Sequence, residues 1–211
     1  MVINVGVDVD SILADYILSF TQVIESYYPG APIKDSKDDS ITTWDWHGWH
    51  PLSENEIESA WEDFSGSLDN LTAFYEQMPT LNDRGIASLI GLSNNERVNV
   101  YFITARHTSN PRFNVVNATR RWLTQVGFKN PQVLVTRQKG HAAYALGLNY
   151  FIDDNLQNIL DVKSELPGCK LFLPDFPYNQ TNIYGVTRLI SDDPLEMFCS
   201  IIDQEILSSF S

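Results

Sequence analysis

Residues 2–15 read VINVGVDVDSILAD. An apolar run that ends in two carboxylates, Asp8 and Asp10, has the form of a buried parallel strand whose carboxyl end opens into a site. Four later runs repeat the first half of that pattern, at 98–103, 132–135, 150–152 and 169–173. Helical periodicities lie between and around them. Leu13, Ile17, Phe20, Ile24 and Tyr27 recur at spacings of three and four, and so do Val115, Ala118, Trp122 and Val126. Asp193, Pro194 and Glu196 predict a helix start with a cap, a first-turn proline and a capping-box partner. That last helix buries Leu195, Phe198, Ile202 and Ile206. Strands alternating with helices predict an α/β fold, a parallel sheet covered on both faces.

One stretch breaks the alternation. From about 29 to 78 no segment reads as a strand, yet four of the five tryptophans lie there: Trp44, Trp46, Trp49 and Trp61. We read it as a mostly helical insertion after the first strand. Aromatics in so small an insertion are expected to form its own core, or to present at least one indole to a flat ligand. His47 and His50 with Asp45 have a spacing that can suit a metal, but no cysteine or second pair completes a set.

The chain has 211 residues, enough for one domain carrying an insertion, and 43% of them are hydrophobic. Lys plus Arg number 14 and Asp plus Glu 27, for a net charge of −13. Such a surface disfavours polynucleotides and anionic lipid. No apolar run is long enough to span a membrane and no basic segment precedes the first one, so no secretory signal is expected. Two cysteines, Cys169 and Cys199, are too few for a disulfide framework, which fits reduced thiols in a cytoplasmic protein.

In open parallel sheets, ligands bind beyond the carboxyl ends of the strands. Asp8 and Asp10 follow the first strand, Thr104 the second (YFITAR), Lys139 the third (VTRQKG), and Asp153 and Asp154 the fourth (YFIDDN). Four converging carboxylates require a cation, and hard oxygen ligands suit Mg²⁺. A hydroxyl and an ammonium beside that ion suit phosphate oxygens, with Arg106 or Arg137 adding positive charge. Two carboxylates two residues apart can divide labour, one attacking phosphorus and the other moving protons.

The ordered segments DVDSILAD, ITAR, VTRQKG and IDDN resemble the four motifs of the haloacid dehalogenase (HAD) superfamily of phosphohydrolases. Within it the chain is most similar to the 5′(3′)-deoxyribonucleotidases, the cytosolic type C 5′-nucleotidases. The lysine segment and FPYNQ at 176–180 carry that likeness, which spans 2 to about 195. The resemblance implies a three-layer HAD-like core at 1–15 and 79–211, with a helical cap at 16–78. It implies Asp8 as nucleophile and Mg²⁺ ligand, and Asp10 as general acid/base with its backbone carbonyl on the metal. Thr104, Ala105 and Lys139 would bind phosphate, and Asp153 and Asp154 would hold Mg²⁺. Trp44, Trp46 and Arg106 are candidate substrate contacts. The residue after Asp10 is Ser11, where the family usually has glycine.

The expected activity is Mg²⁺-dependent hydrolysis of (deoxy)nucleoside monophosphates through an aspartyl-phosphate. The alternatives are a phosphatase for a sugar phosphate or phosphoserine, and a non-catalytic nucleotide-binding protein on the same scaffold. The expected partner is a small nucleotide, with neither polynucleotide nor membrane, and a homodimer is compatible with the sequence.

Overall fold

A computed structural model describes residues 2–208. Its centre is a six-stranded parallel sheet in the order β3-β2-β1-β4-β5-β6. The strands are β1 (Ile3–Val7), β2 (Val98–Thr104), β3 (Gln132–Val135), β4 (Tyr150–Ile152), β5 (Lys170–Pro174) and β6 (Val186–Leu189). The predicted α/β parallel architecture is therefore present, and the first five strands lie within a residue of their expected bounds. β1 pairs on one side with β2, Val7 opposite Phe102, and on the other with β4, Val7 opposite Ile152. Its Gly6 is required by close packing: a Cβ there would stand 2.4 Å from Leu148 Cδ1 and 2.8 Å from Phe151 Cδ2.

Alternation along the strands divides the core between two layers of helix. Ile103, Phe151, Leu171 and Leu173 pack with Ala142 and Ala143 of α6 (Lys139–Leu146) and Ile159 and Val162 of α7 (Leu156–Glu165). Val5, Phe102, Tyr150 and Phe172 join the opposite core. That core takes Ile86 and Leu89 of α4 (Asp83–Ser93), Trp122 of α5 (Val115–Val126), and Phe198 and Ile202 of α8 (Pro194–Ser208). α8 starts as predicted at Pro194, and Asp193 caps it by accepting from the Glu196 amide at 3.0 Å. The expected box does not close. The Glu196 carboxylate turns instead to Arg84 at 2.9 Å, because the Asp193 amide already donates to Ser191.

The chain leaves this core and returns to it through a narrow neck. Ala14 and Thr80 form an antiparallel bridge, the Asp15 amide donates to Pro79 O at 2.9 Å, and the Leu81 amide donates to Leu13 O at 2.9 Å. Beyond it lie α1 (Tyr16–Tyr27), α2 (Glu54–Gly66) and α3 (Leu68–Glu76). Asp15 caps α1 through the Leu18 amide, and Ser53 with Glu56 forms a full capping box on α2. Helix is not continuous here: 28–45 is irregular, and a single 3₁₀ turn at Trp46–Trp49 precedes α2. A glycine- and proline-containing start and the acids of 35–39 offer no apolar face to bury. The inserted elements own no separate core. Ile41, Trp49, Ile57, Leu71 and Phe74 are continuous with Val5, Val7 and Ile86. No helix among the described residues is long and apolar enough to cross a membrane.

Candidate active site

Asp8 is the first residue beyond β1, and its amide donates to Ile152 O at 3.0 Å, which anchors it at the end of two adjacent strands. Asp153 and Asp154 follow β4, the neighbouring strand, so all three carboxylates leave the sheet at one edge. All three are buried, and each offers one oxygen within 4.8 Å of the others. Lys139, the first residue of α6, reaches in from the opposite layer with no exposed surface. Its Nζ lies 2.7 Å from both Asp8 Oδ1 and Asp153 Oδ2. Gly140 permits this placement. A Cβ at Gly140 would stand 2.6 Å from Asp161 O on α7, and its amide donates to Asp161 Oδ2 at 2.6 Å.

Surrounding groups fix the other ligand atoms. Asp153 Oδ1 accepts from the Asn155 amide at 2.9 Å and from Asn158 Nδ2 at 3.0 Å. Tyr178 donates its hydroxyl to Asp154 Oδ2 at 2.9 Å, and Asn179 Nδ2 donates to the Asp154 carbonyl at 2.8 Å. Asp154 Oδ1 is buried without a hydrogen-bond partner. Such an orphaned anionic oxygen is costly unless a cation meets it.

Electrostatics agree. Burial, reinforced by Asp153 and Asp10 and opposed by Lys139, pushes the Asp8 carboxyl up to about 7. Burial and the charges of Asp153 and Asp8 also raise the Asp154 carboxyl well above the ordinary range. Burial works against the charge on Lys139, but Asp153 and Asp8 outweigh it and its pKa lies above the usual lysine value. Asp8, Asp10, Asp153 and Asp154 set against Lys139 and Arg106 leave a formal excess of two negative charges on these six side chains. A divalent cation would neutralise it, and the all-oxygen donor set suits Mg²⁺.

Asp10 stands apart from that triad. Its carboxylate is gripped by Arg106, whose Nε donates at 2.9 Å and 3.0 Å and whose Nη2 donates at 2.6 Å. Thr104, fully buried, donates to Asp10 at 3.4 Å and accepts from the Arg106 amide at 3.3 Å. Arg106 also donates to Thr119 and stacks over the rings of Tyr75 and Trp122 at 5.3 Å and 5.8 Å. Arg106, a candidate substrate contact from the sequence, lines the neighbouring cavity and also donates to Asp10 and Thr119.

Next to Asp10 opens a cavity of about 700 Å³. Trp44, Trp46, Trp61, Tyr16 and Tyr75 form its apolar wall. Ala105, His107, Thr108, Ser109, Arg106 and Arg137 line it on the side of the segment after β2 and near Lys139, and Glu58 and Glu62 line it from α2. The tryptophans differ in placement. Trp49 is core, 2% exposed, and donates Nε1–H to Thr43 O, whereas the other three reach the cavity. His47 pairs with Asp45 and Glu58, while the buried ring of His50 has no partner; among the described residues only Asp8, Asp153 and Asp154 cluster as metal ligands would.

Ser11 has φ +59°, the left-handed region. Glycine enters that region freely, whereas a side chain there costs on the order of 1 kcal/mol. A tight loop, closed by the Ser11 amide donating to Ala14 O at 2.7 Å, imposes it. Tyr178, Asn179 and Asn158 were not singled out as site residues in the sequence. Only the FPYNQ likeness pointed toward the first two, and nothing marked Asn158.

Solved structures share this arrangement of elements. A HAD family hydrolase from Deinococcus radiodurans R1, solved with bound phosphate and sodium, superposes with a TM-score of 0.56 at 12% identity, over 96% of each chain. The fold is HAD-like. A HAD-superfamily hydrolase of subfamily IA from Geobacter sulfurreducens PCA gives 0.57 at 15% identity, again over 96% of each chain. A β-phosphoglucomutase from Clostridium difficile gives 0.51 at 13% identity, over 98% of this chain and all of that one. No protein-family model and no curated protein sequence matches the chain.

Proposed function

We propose that the protein is a Mg²⁺-dependent phosphomonoesterase acting on nucleoside monophosphates. In this reading residues 1–15 and 79–211 form the core that binds phosphate, and 16–78 the cap that selects the leaving group. The reaction class rests on the buried triad of Asp8, Asp153 and Asp154 with Lys139 at 2.7 Å from two of them. Asp8, Asp153 and Asp154 would hold the metal, which would supply positive charge against the phosphoryl oxygens.

Lys139 engages one oxygen of Asp8 and so turns the other toward an incoming phosphorus. Attack by that oxygen forms an aspartyl-phosphate as the ester P–O bond breaks. Asp10, beside the cavity, would act as the general acid that gives a proton to the departing alkoxide. The same carboxylate then takes a proton from water as the water oxygen attacks phosphorus, releasing Asp8 and inorganic phosphate. Thr104 and Ala105, at the end of β2, would donate to the phosphoryl oxygens.

The substrate class rests on the cavity. Three indoles and two phenol rings line a space of about 700 Å³ that begins at Asp10. Flat aromatic walls favour a planar base over a sugar, since stacking contributes about 1–3 kcal/mol per base. A sugar phosphate is the second reading, favoured by the structural likeness to a β-phosphoglucomutase. The test is phosphate release from nucleotides, sugar phosphates and phosphoserine, with Mg²⁺ and with EDTA. EDTA-sensitive release from nucleotides is expected. Release from sugar phosphates alone would replace the substrate, and no release from any would remove the enzyme assignment.

A further inference from the structure

Three acids line the cavity that begins at Asp10: Asp10 itself, Glu58 and Glu62. Asp10 is held by Arg106, whereas Glu58 and Glu62 come from the inserted segment, one turn apart on α2. Ile57 and Ala60 of that helix are buried, and Trp61 and Phe64 pack against the core, so α2 is fixed along one side. Glu58 and Glu62 each follow a residue of that side and meet the cavity. Nothing on α2 balances them. Like charges at i and i+4 repel, and the helix carries no lysine or arginine to offset the repulsion. The Glu62 carboxylate has neither an ion pair nor a hydrogen bond among the described residues. Glu58 has one neighbour, His47, whose Nε2 lies 3.5 Å from its Oε1. His47 is braced in turn by Asp45 at 3.0 Å and lies against Trp46, with ring centroids 4.8 Å apart.

An ionised carboxylate only accepts hydrogen bonds, so the group that meets this wall must donate. The rings beside it, Trp46 and Trp61, stand at 87° with centroids 6.3 Å apart. A base with its face on an indole leaves its edge to the polar part of the wall. The common bases differ at that edge. Uracil and thymine offer one N–H between two carbonyl oxygens, which a carboxylate repels. Cytosine and adenine offer an amino group beside a ring nitrogen that accepts. Guanine alone offers two donors side by side, the N1 hydrogen and the 2-amino group, which match both oxygens of one carboxylate. An alkylammonium also suits rings and acids, but it is small against a cavity of about 700 Å³.

We propose that Glu58 and Glu62 read the base and select guanine nucleotides, with His47 as a positioning residue that steadies Glu58. The inference rests on the nucleotide reading of the cavity and adds the identity of the base to it.

The experiment measures kcat/KM for the 5′-monophosphates of guanosine, adenosine, cytidine and uridine, with p-nitrophenyl phosphate and phosphocholine beside them. Binding of guanosine and uridine is followed separately by tryptophan fluorescence, which needs no turnover and senses the indoles of the wall. The parent should favour guanine over uracil by about tenfold in both measurements, at the low end for a matched bidentate contact because both glutamates are exposed. The double variant Glu58→Gln, Glu62→Gln should lose most of that lead, chiefly through KM, because a glutamine amide also donates to a uracil carbonyl. Exposed positions tolerate the change, so this variant is expected to fold as the parent does. His47→Ala should narrow the lead less, and not at all once both glutamates are Gln. A parent that handles uracil as well as guanine, or a lead that the double variant keeps, overturns the base assignment and leaves the nucleotide reading standing. Release from phosphocholine ahead of every nucleotide, or from p-nitrophenyl phosphate alone with neither nucleoside bound, overturns the nucleotide reading and the base assignment with it.

Discussion

Replacing the proposed nucleophile should make the metal-free protein more stable. Asp8 is buried beside Asp153 and Asp10, and its carboxyl is pushed from 3.8 to about 7 even though Lys139 opposes the rise. Such a rise corresponds to roughly 4 kcal/mol of disfavour for the charged form, at 1.36 kcal/mol per pH unit. Asn is isosteric and carries no charge, so Asp8→Asn should recover between about 2 and 4 kcal/mol at pH 7 in EDTA. For a chain of this size that is a rise in Tm of about 5–15 °C. The sign follows from linkage. A carboxyl whose folded pKa lies above its unfolded value contributes stability that is present below pH 4 and lost as pH rises through about 7. The parent Tm in EDTA should therefore fall between pH 4 and pH 7, and the gap to Asp8→Asn should open over the same window. Saturating Mg²⁺ should reverse the order, because it binds the parent carboxylates better than the amide. Thermal unfolding followed by circular dichroism, with and without Mg²⁺, measures all of this. A parent protein at least as stable as Asp8→Asn in EDTA at pH 7, or a gap that does not change with pH, would refute the account of a triad held in tension until a cation arrives.

Arg106→Leu should cost about 3–5 kcal/mol in urea unfolding, because it strands Asp10, whose side chain is only 14% exposed. Lys139→Met should lower kcat by about 10²–10³-fold with Mg²⁺ saturating, since it removes a fixed charge at the reacting group; near-parental kcat would count against the lysine's role. Trp44→Ala and Trp46→Ala should raise KM for nucleoside monophosphates by about tenfold while leaving p-nitrophenyl phosphate within about twofold. Equal effects on both substrates would reduce these rings to cap packing.

The strands that were legible are those whose sequence is an unbroken apolar or near-apolar run, whether buried throughout like Tyr150–Ile152 or part-exposed at the sheet edge like Gln132–Val135; the run ends at a turn residue or acid, and local sequence carries that signal. β6 escaped notice because Val186–Leu189 reads VTRL, an edge strand whose Thr187 is exposed and whose Arg188 leaves the sheet for Asp175 and Asn179. The same logic divides the site. That Asp8, Lys139, Asp153 and Asp154 lie together is legible because each sits where a strand ends or the next helix begins, and the topology brings those points together. The Asp10–Arg106 fork was not found: the two are 96 residues apart, and their meeting depends on the turn after Asp10 and on a rotamer. Asn158 was invisible for a simpler reason. An asparagine one turn into α7 looks like any exposed helix residue until its amide is seen on Asp153.

The neck at Ala14 and Thr80 has a consequence for anyone who would re-engineer this chain. As backbone, it is an ideal place to cut: two antiparallel segments, already hydrogen-bonded from Leu13 to Leu81, could be closed by a short hairpin. As packing, it is a poor one. Ile41, Trp49, Ile57 and Leu71 share one apolar mass with the sheet, so a molecule trimmed at the neck would expose the face they cover. Substrate preference in this chain should therefore respond to point changes in the cavity wall and resist wholesale exchange of the inserted segment.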